Sequence, residues 1–424
     1  MASTNDKALN AIERISALQH IDILISKIQN KSLNETAGAS LPFEQSITEE
    51  GINKRLEFLL KETGKEMAFI RGTKVFSELK QLEGNIENYI GLSMIPTGVI
   101  GPLRVIGTAA QGDFYIPLAT SEGALVASYH RGAKACTLSG GAASICLVEG
   151  VQRSPLFKFN DIAELGQFLM WLLPQMDELK RITEKTSRFA KLTEIKTNIE
   201  GNHLILTFEY HTGDASGQNM VTLCTDAICH YIIENTPVKP LFWFIESNYS
   251  GDKKATALSF NTVRGKKVTT EITLPEKVVN DVLKTTPDAM SEYWKSSTIG
   301  AIQSGAIGAQ GHYANGLAAL FLATGQDVAC VSEAAVGITR MEVVSGDLYA
   351  SVTLPNLIVG TVGGGTGLPT QRECLELMDC YGEGKARKYA EICGALVLAG
   401  ELSIAAALSA GHFSSAHKKL GRKK

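Results

Sequence analysis

Several signatures that would identify the chemistry of a chain at a glance are missing here. No pair among the eight cysteines is spaced CxxC and no Cys/His quartet has zinc-ligand spacing, so neither that kind of redox pair nor a structural zinc site is expected. No GxGxxG follows a candidate strand, which removes the Rossmann mode of dinucleotide binding, and there is no Walker A loop, GxSxG elbow or HExxH helix. Surplus charge is also missing: 41 Lys and Arg against 44 Asp and Glu give a net charge of -3, with no electrostatic reason to expect nucleic acid. The N-terminal stretch MASTNDKALNAIERISALQHIDILISKI is charged throughout and lacks an apolar signal-peptide core. Residues 394–411 are apolar but interrupted by Glu401 and rich in Ala and Ser, so they read as a buried helix shorter and more polar than a membrane span requires. Dispersed cysteines then read as reduced core residues, and a soluble, cytoplasmic protein without a membrane anchor is expected.

What the chain does have is length and glycine. Its 424 residues favour two or three domains. Its 40 glycines cluster at 300–311 and 360–367, where close backbone approach or tight helix packing is served. Residues 1–85 are helix-compatible, with apolar spacing at Leu56, Leu59 and Leu60. Proline and glycine from 95 to 117 mark strands and turns, and residues 121–135 read as a helix with Glu122 in its first turn. Residues 155–244 read as a separate α+β unit: a helical run, a strand pair at 193–198 and 204–210, and a second helix at 219–234. With no linker composition on either side, that unit is expected to be inserted into a larger domain. A strand at 266–274 and long glycine-alanine helices follow.

Each polar segment of interest has a bland reading beside a functional one. Glu122 in TSEG suits a helix dipole as a capping residue. Residues 212–220 (TGDASGQNM) open a helix, so Asp214 reads alone as an N-cap, while the loop's free N–H groups suit a phosphate. A lone DKK (252–254) is usually a solvated charge run. Asp327 in GQD follows a helix C-terminus, where it would oppose the macrodipole. GTVGGGT (360–366) is too glycine-dense for a strand interior and is as readily a phosphate-approach loop. His412 and His417 could each be plain surface histidines.

Taken in order, the blocks ENYIG, TSEGALVAS, RGAKA, TGDASGQNM, DKK with RGKKV, GQD, GTVGGGT and the GH…H tail resemble the 3-hydroxy-3-methylglutaryl-CoA (HMG-CoA) reductase family. They extend from about residue 85 to the end, roughly four fifths of the chain. DKK and the layout look more like its eukaryotic-type class, which implies NADPH in preference to NADH and no metal. The resemblance implies an α+β fold. A large, mainly helical substrate-binding domain (86–154 and 245–424) would be interrupted by a small ferredoxin-like, non-Rossmann nucleotide-binding domain (155–244), after a helical N-terminal region (1–85). It further implies a homodimer or tetramer whose active site forms between subunits, with the DKK segment supplied across the interface.

Roles carry over by matching position. Glu122, Lys253, Asp327 and His417 would be catalytic. Lys253 would stabilise the oxyanion that develops as the thioester accepts hydride. Glu122 would donate a proton, kept on it by a network shared with Asp327 and Lys253. His417 would protonate the departing thiolate. Arg153, Lys254, Asn315, Ser247 and Asp252 would contact the acyl group, with Arg153 on its carboxylate. Ser128, Arg131, Lys134 and His412 would contact coenzyme A. Ser187, Arg188, Phe189, Asp214, Ser216, Gly217, Gln218, Asn219, Gly363, Gly364, Gly365 and Arg422 would hold the nucleotide, with Arg188 suited to a 2′-phosphate.

The implied reaction is reduction of HMG-CoA to mevalonate and coenzyme A with two NADPH, an early step of isoprenoid synthesis. Departures from the family pattern are Glu246 where a serine contacting the substrate carboxylate is usual, Ser216 and Gln218 in place of methionines, and Ala416 before His417. Glu246 keeps a second reading open, a reductase of a different branched or hydroxylated acyl-CoA. A third is a catalytically silent member of the family.

Overall fold

The computed structural model describes residues 47–411, the stretches 38–42 and 21–29, and positions 9, 12, 13 and 16. Numbering the longer helices, α1 is Ile21–Gln29 and α2 is Glu49–Thr63. Thr48 caps α2, its side chain accepting from the Gly51 amide at 3.1 Å, and Gly64 ends it in a left-handed turn. Leu56 and Leu59 face inward and Leu60 outward, which docks α2 on a small core with Leu41, Tyr115 and Leu377.

Strands β1 (Thr97–Gly107) and β2 (Gln111–Ala119) form a hairpin, and α3 (Leu125–Leu138) follows. Strand β3 (Ala142–Arg153) then ties the molecule together. Residues 142–144 pair in parallel with β1 and residues 143–150 pair antiparallel with β8 (Gly265–Leu274), whereas Val151–Arg153 pair with β6. Arg153 therefore sits where one strand passes from one half of the sheet to the other.

Between β3 and β8 the order is β4 (Leu156–Lys158), α4 (Ile162–Leu172), α5 (Met176–Thr186), β5 (Lys191–Glu200), β6 (His203–His211), α6 (Gln218–Asn235) and β7 (Phe242–Phe244). These four strands lie in the order β7-β4-β6-β5, and every neighbouring pair is antiparallel. Beyond β8 come α7 (Pro287–Ser304) and α8 (Tyr313–Thr324), the hairpin β9 (Ile338–Val344) and β10 (Asp347–Leu357), then α9 (Pro369–Leu377) and α10 (Ala386–Ser409). That hairpin was not foreseen. Its alternation is clear in β10, where Leu348, Ala350, Val352 and Leu354 are buried at every second position.

Helix α10 crosses β8, β3 and β10 and forms the centre of the core. It has 24 residues, longer than the reading of 394–411 as a short helix allowed. Its length and composition would suit a membrane span, and 83% of its most apolar window is buried inside the protein. Buried Glu401, the charge that interrupts it, accepts from the amides of Gly311 (2.7 Å) and His312 (2.8 Å) and from Thr339 Oγ1 (2.7 Å). All eight cysteines are free and buried.

Glycine sets one crossing in this core. A Cβ on Gly132 of α3 would lie 1.9 Å from the backbone oxygen of Ala399 on α10. Backbone cannot swing aside as a side chain can, so Gly132→Ala should destabilise the fold by about 1–3 kcal/mol despite alanine's better helix propensity. Thermal or urea unfolding of the variant measures it.

Candidate active site

Helix α3 begins at Leu125, four residues later than residues 121–135 suggested, because Ala124 takes a left-handed turn with φ 70°. Glu122 is therefore no helix cap. It lies exposed in the preceding turn, its amide donating to Thr120 Oγ1 at 3.0 Å. Its carboxylate accepts from Asn315 Nδ2 at 3.0 and 3.2 Å, near the start of α8. Both residues line a cavity of about 420 Å³, together with Ser128, Arg131, His312 and Leu408. Ser128 and Arg131, a turn apart on α3, both bond Ser403 of α10, at 2.9 Å for Ser128 Oγ and 2.7 Å for Arg131 to the Ser403 carbonyl. Lys134 is exposed one further turn along α3. His312 stacks on Tyr129 at 5.4 Å, with its Nδ1 3.1 Å from Glu401.

The opposite end of α8 carries a second cluster. Gly325 closes the helix, and Asp327 is the N-cap of the short turn Val328–Cys330, so the opposed macrodipole noted for GQD is offset by a local role. Asp327 Oδ1 accepts from the Ala329 amide at 3.0 Å, leaving Oδ2 for Lys253 Nζ at 2.9 Å. Lys253 has φ 56°, a conformation uncommon for a residue with a Cβ. The hydrogen bond that Lys253 donates to Asp327 raises the Lys253 pKa against the opposing effect of burial, so the ammonium stays charged.

Beside this pair is a buried charge network that the sequence reading missed in large part. Arg264 donates to Glu333 and Asp252, both at 2.6 Å, to Gln218 Oε1 at 2.7 Å and to the Gln152 carbonyl at 2.9 Å. Asp252 also meets Arg153 at 3.2 Å. Burial pushes the Asp252 pKa up, but Arg264 and Arg153 outweigh that and hold it below the usual value. Burial pushes Glu333 up in spite of Arg264. Ser247 gives its hydroxyl to the Ser154 carbonyl (2.7 Å) and exposed Lys254 donates to the Asp252 carbonyl (3.0 Å). An arginine opening a buried strand was the only available hint of Arg264, and RGKKV gave it no role.

The glycine loops adjoin the same end. Gln326 clamps Gly360 from both sides, accepting from its amide at 2.9 Å and donating to its carbonyl at 3.0 Å. Asp214 does not cap its own helix. Its carboxylate accepts from the amides of Gly384 (2.8 Å) and Ala386 (3.0 Å) at the start of α10, and its carbonyl accepts from Thr361 (2.8 Å). Gly217 is the residue before α6, Ser216 packs against Gly360, and Gln218 turns inward to Arg264 and to Cys330 Sγ (3.3 Å), while Asn219 is exposed. Gly365 backs onto Gly325. By contrast Gly213, Gly363 and Gly364 have φ of 62°, 75° and 54°, with nothing within 4 Å of where a Cβ would be. Open space over left-handed backbone suits an approaching phosphate, so these residues fit a nucleotide. Ser187 ends α5, and Arg188 lies over the ring of exposed Phe189 at 4.7 Å.

The two ends of α8 are about 18 Å apart, at 1.5 Å of rise for each of its 12 residues. Glu122 is thus held with Asn315 and Lys253 with Asp327. The network expected to join Glu122, Asp327 and Lys253 does not form within one chain, because a rigid helix separates its members. His412, His417 and Arg422 lie outside the described residues.

Residues 51–422 match the family model described as hydroxymethylglutaryl-coenzyme A reductase. Two similar archaeal proteins carry the name 3-hydroxy-3-methylglutaryl-coenzyme A reductase. That of Methanocaldococcus jannaschii is 43% identical over 373 residues, covering 87% of this chain and 92% of its own. That of Aeropyrum pernix is 42% identical over 411 residues, covering 95% and 96%. A Dictyostelium discoideum protein named 3-hydroxy-3-methylglutaryl-coenzyme A reductase 2 is 40% identical, covering 82% of this chain and 68% of its own. In fold, the chain resembles the class II HMG-CoA reductase of Streptococcus pneumoniae, solved bound to NADPH in open conformations. The TM-score is 0.67 over 85% of this chain and 100% of that one, at 18% identity. The α+β fold with its antiparallel sheet, the shared motifs and the near full-length identity agree, and the chain belongs to the hydroxymethylglutaryl-coenzyme A reductase family.

Proposed function

We propose that this chain reduces HMG-CoA to mevalonate and coenzyme A, consuming two NADPH in the synthesis of isoprenoid precursors. The observation that carries the reading is the Lys253–Asp327 pair at 2.9 Å beside the clamped glycine loop. A thioester carbonyl taking a hydride becomes an oxyanion, and a cation already fixed in place stabilises it without reorganisation. NADPH supplies the hydride when bound. Asp327 aims the Lys253 ammonium, Glu122 donates or accepts the proton at the carbonyl oxygen, and His417 is assigned the proton for the leaving thiolate.

The cavity at the other end of α8, with Ser128, Arg131 and Lys134 on one face of α3, is assigned to coenzyme A. The small unit of residues 155–244 is read as the ferredoxin-like nucleotide domain. Its β7-β4-β6-β5 antiparallel sheet, with two successive helices (α4 and α5) after the first strand and α6 before the last, supports that, as does the open glycine backbone beside it. Residues 1–85 are read as an N-terminal region, and 86–154 with 245–424 as the domain for substrate and dimerisation. Burial of α10 in the core supports a soluble, cytoplasmic enzyme.

The 18 Å division supports a homodimer, or a tetramer built of dimers, in which one subunit's Glu122 meets the other's Lys253 and Asp327. The ENYIG segment and the residues that follow it support it too. Ile90, Leu92 and Met94 are 101%, 64% and 96% exposed, apolar surface that a second copy would cover. The purified protein should oxidise NADPH, and NADH less readily, only when HMG-CoA is present. Arg188, exposed and without a carboxylate partner among the described residues, is assigned to the 2′-phosphate. Arg188→Gln should then raise the KM for NADPH roughly tenfold or more and leave that for NADH nearly unchanged. Equal effects on both cofactors would remove that assignment.

A further inference from the structure

Arg153, the residue assigned to the acyl carboxylate, already meets two carboxylates of its own chain. Its Nη1 lies 3.2 Å from Glu246 Oε2 and 3.2 Å from Asp252 Oδ2, and its side chain is only 9% exposed. The two acids are not held alike. Asp252 is fixed by Arg264 at 2.6 Å as well, so it belongs to the buried network. Glu246 Oε2 has Arg153 and the Ser154 amide at 3.3 Å, while its other oxygen, Oε1, is buried with no hydrogen-bond partner. Arg153 Nε is likewise buried and unpartnered. A buried carboxylate oxygen and a guanidinium nitrogen left unsatisfied in one spot mark a contact that a better-fitting carboxylate would improve.

Charge points the same way. Two arginines, Arg153 and Arg264, face three acids, Glu246, Asp252 and Glu333, so the positive charge of this cluster is already taken up within the chain. A further carboxylate entering beside Glu246 would be repelled, and a guanidinium pairs in bidentate fashion with one carboxylate at a time.

We infer that Glu246 is a built-in stand-in for the substrate's distal carboxylate. It occupies Arg153 and has to be displaced by an acyl group that carries its own carboxylate. Glu246 is in this way a specificity-determining residue: it weakens the preference for carboxylate-bearing acyl-CoA over neutral acyl-CoA of similar shape. An acyl group without a distal carboxylate leaves the Arg153–Glu246 pair in place. The inference rests on the proposed function, since it takes Arg153 to meet the acyl group.

The test is Glu246→Ser, with Glu246→Gln as the variant that keeps volume and removes only charge. Binding of free 3-hydroxy-3-methylglutarate to the full-length protein, by calorimetry, should tighten roughly tenfold in both variants. The KM for HMG-CoA should fall by a similar factor with kcat within about twofold, as for a change in uniform binding. The kcat/KM ratio of HMG-CoA over 3-hydroxybutyryl-CoA should rise accordingly. Unchanged or weaker dicarboxylate binding in Glu246→Gln would overturn the inference, and so would an equal gain for the neutral thioester. Because the binding arm needs no turnover, an inactive wild-type protein would count against the proposed reaction alone.

Discussion

Lys253→Ala is expected to lower kcat for HMG-CoA reduction by about a thousandfold while coenzyme A still binds with wild-type affinity. Removing one preorganised donor to an oxyanion typically costs about 10²–10³ in rate, and a full positive charge in a closed site belongs at the upper end. The ammonium is aimed by Asp327, which also raises its pKa, so at neutral pH the wild-type site presents the cation throughout. Asp327→Asn should act in the same direction and less severely, because the cation remains but loses its anchor. Coenzyme A affinity should hold, since the cavity assigned to it lies at the far end of α8, about 18 Å away by helix rise. Steady-state kinetics with calorimetric titration of coenzyme A separates the two effects. A Lys253→Ala protein that turns over within tenfold of wild type would remove Lys253 from the chemistry.

Mixing two dead variants should restore activity. Glu122→Gln and Lys253→Ala homodimers each lack one component in both sites. If each site takes Glu122 from one subunit and Lys253 from the other, a hybrid dimer has one doubly damaged site and one intact site. Random exchange makes about half the dimers hybrid, so about a quarter of wild-type activity should return. Recovery at that level is difficult to obtain by any arrangement within one chain. Absence of recovery after verified subunit exchange would mean that α8 does not divide the site as described.

The segments assigned to chemistry could be singled out because their motifs are short and local. DKK, GQD and GTVGGGT were recognisable without their neighbours. Their partners were not. Asp214 looked like the cap of the helix it precedes, and it accepts from the amides at the start of α10, some 170 positions later. Asp327 looked misplaced at a helix end until Val328–Cys330 supplied a cap for it to make. The start of α3 was read four residues early because Ala124, not a residue that usually adopts φ of 70°, makes the turn. Glu401 was read as a flaw in an apolar helix. Its partners Gly311, His312 and Thr339 come from other elements, so no local pattern could have announced them. Arg264 was legible only as part of a block, since a buried arginine is defined by the four groups that surround it. Glu246 was noticed as a departure that keeps a different acyl-CoA substrate open. The structure turns it onto Arg153.

The glycine loop at Gly360, Gln326, Asp327 and Lys253 form one contiguous end of α8, joined by the Gln326 clamp on Gly360. Glu122, Asn315 and the cavity form the other.

The most direct test of the whole account is the stoichiometry and product of one complete reaction. Purified protein, limiting HMG-CoA and excess NADPH should consume two NADPH for each thioester and release free coenzyme A and mevalonate. One NADPH per thioester, a product other than mevalonate, or no oxidation by folded protein that binds both ligands would contradict it.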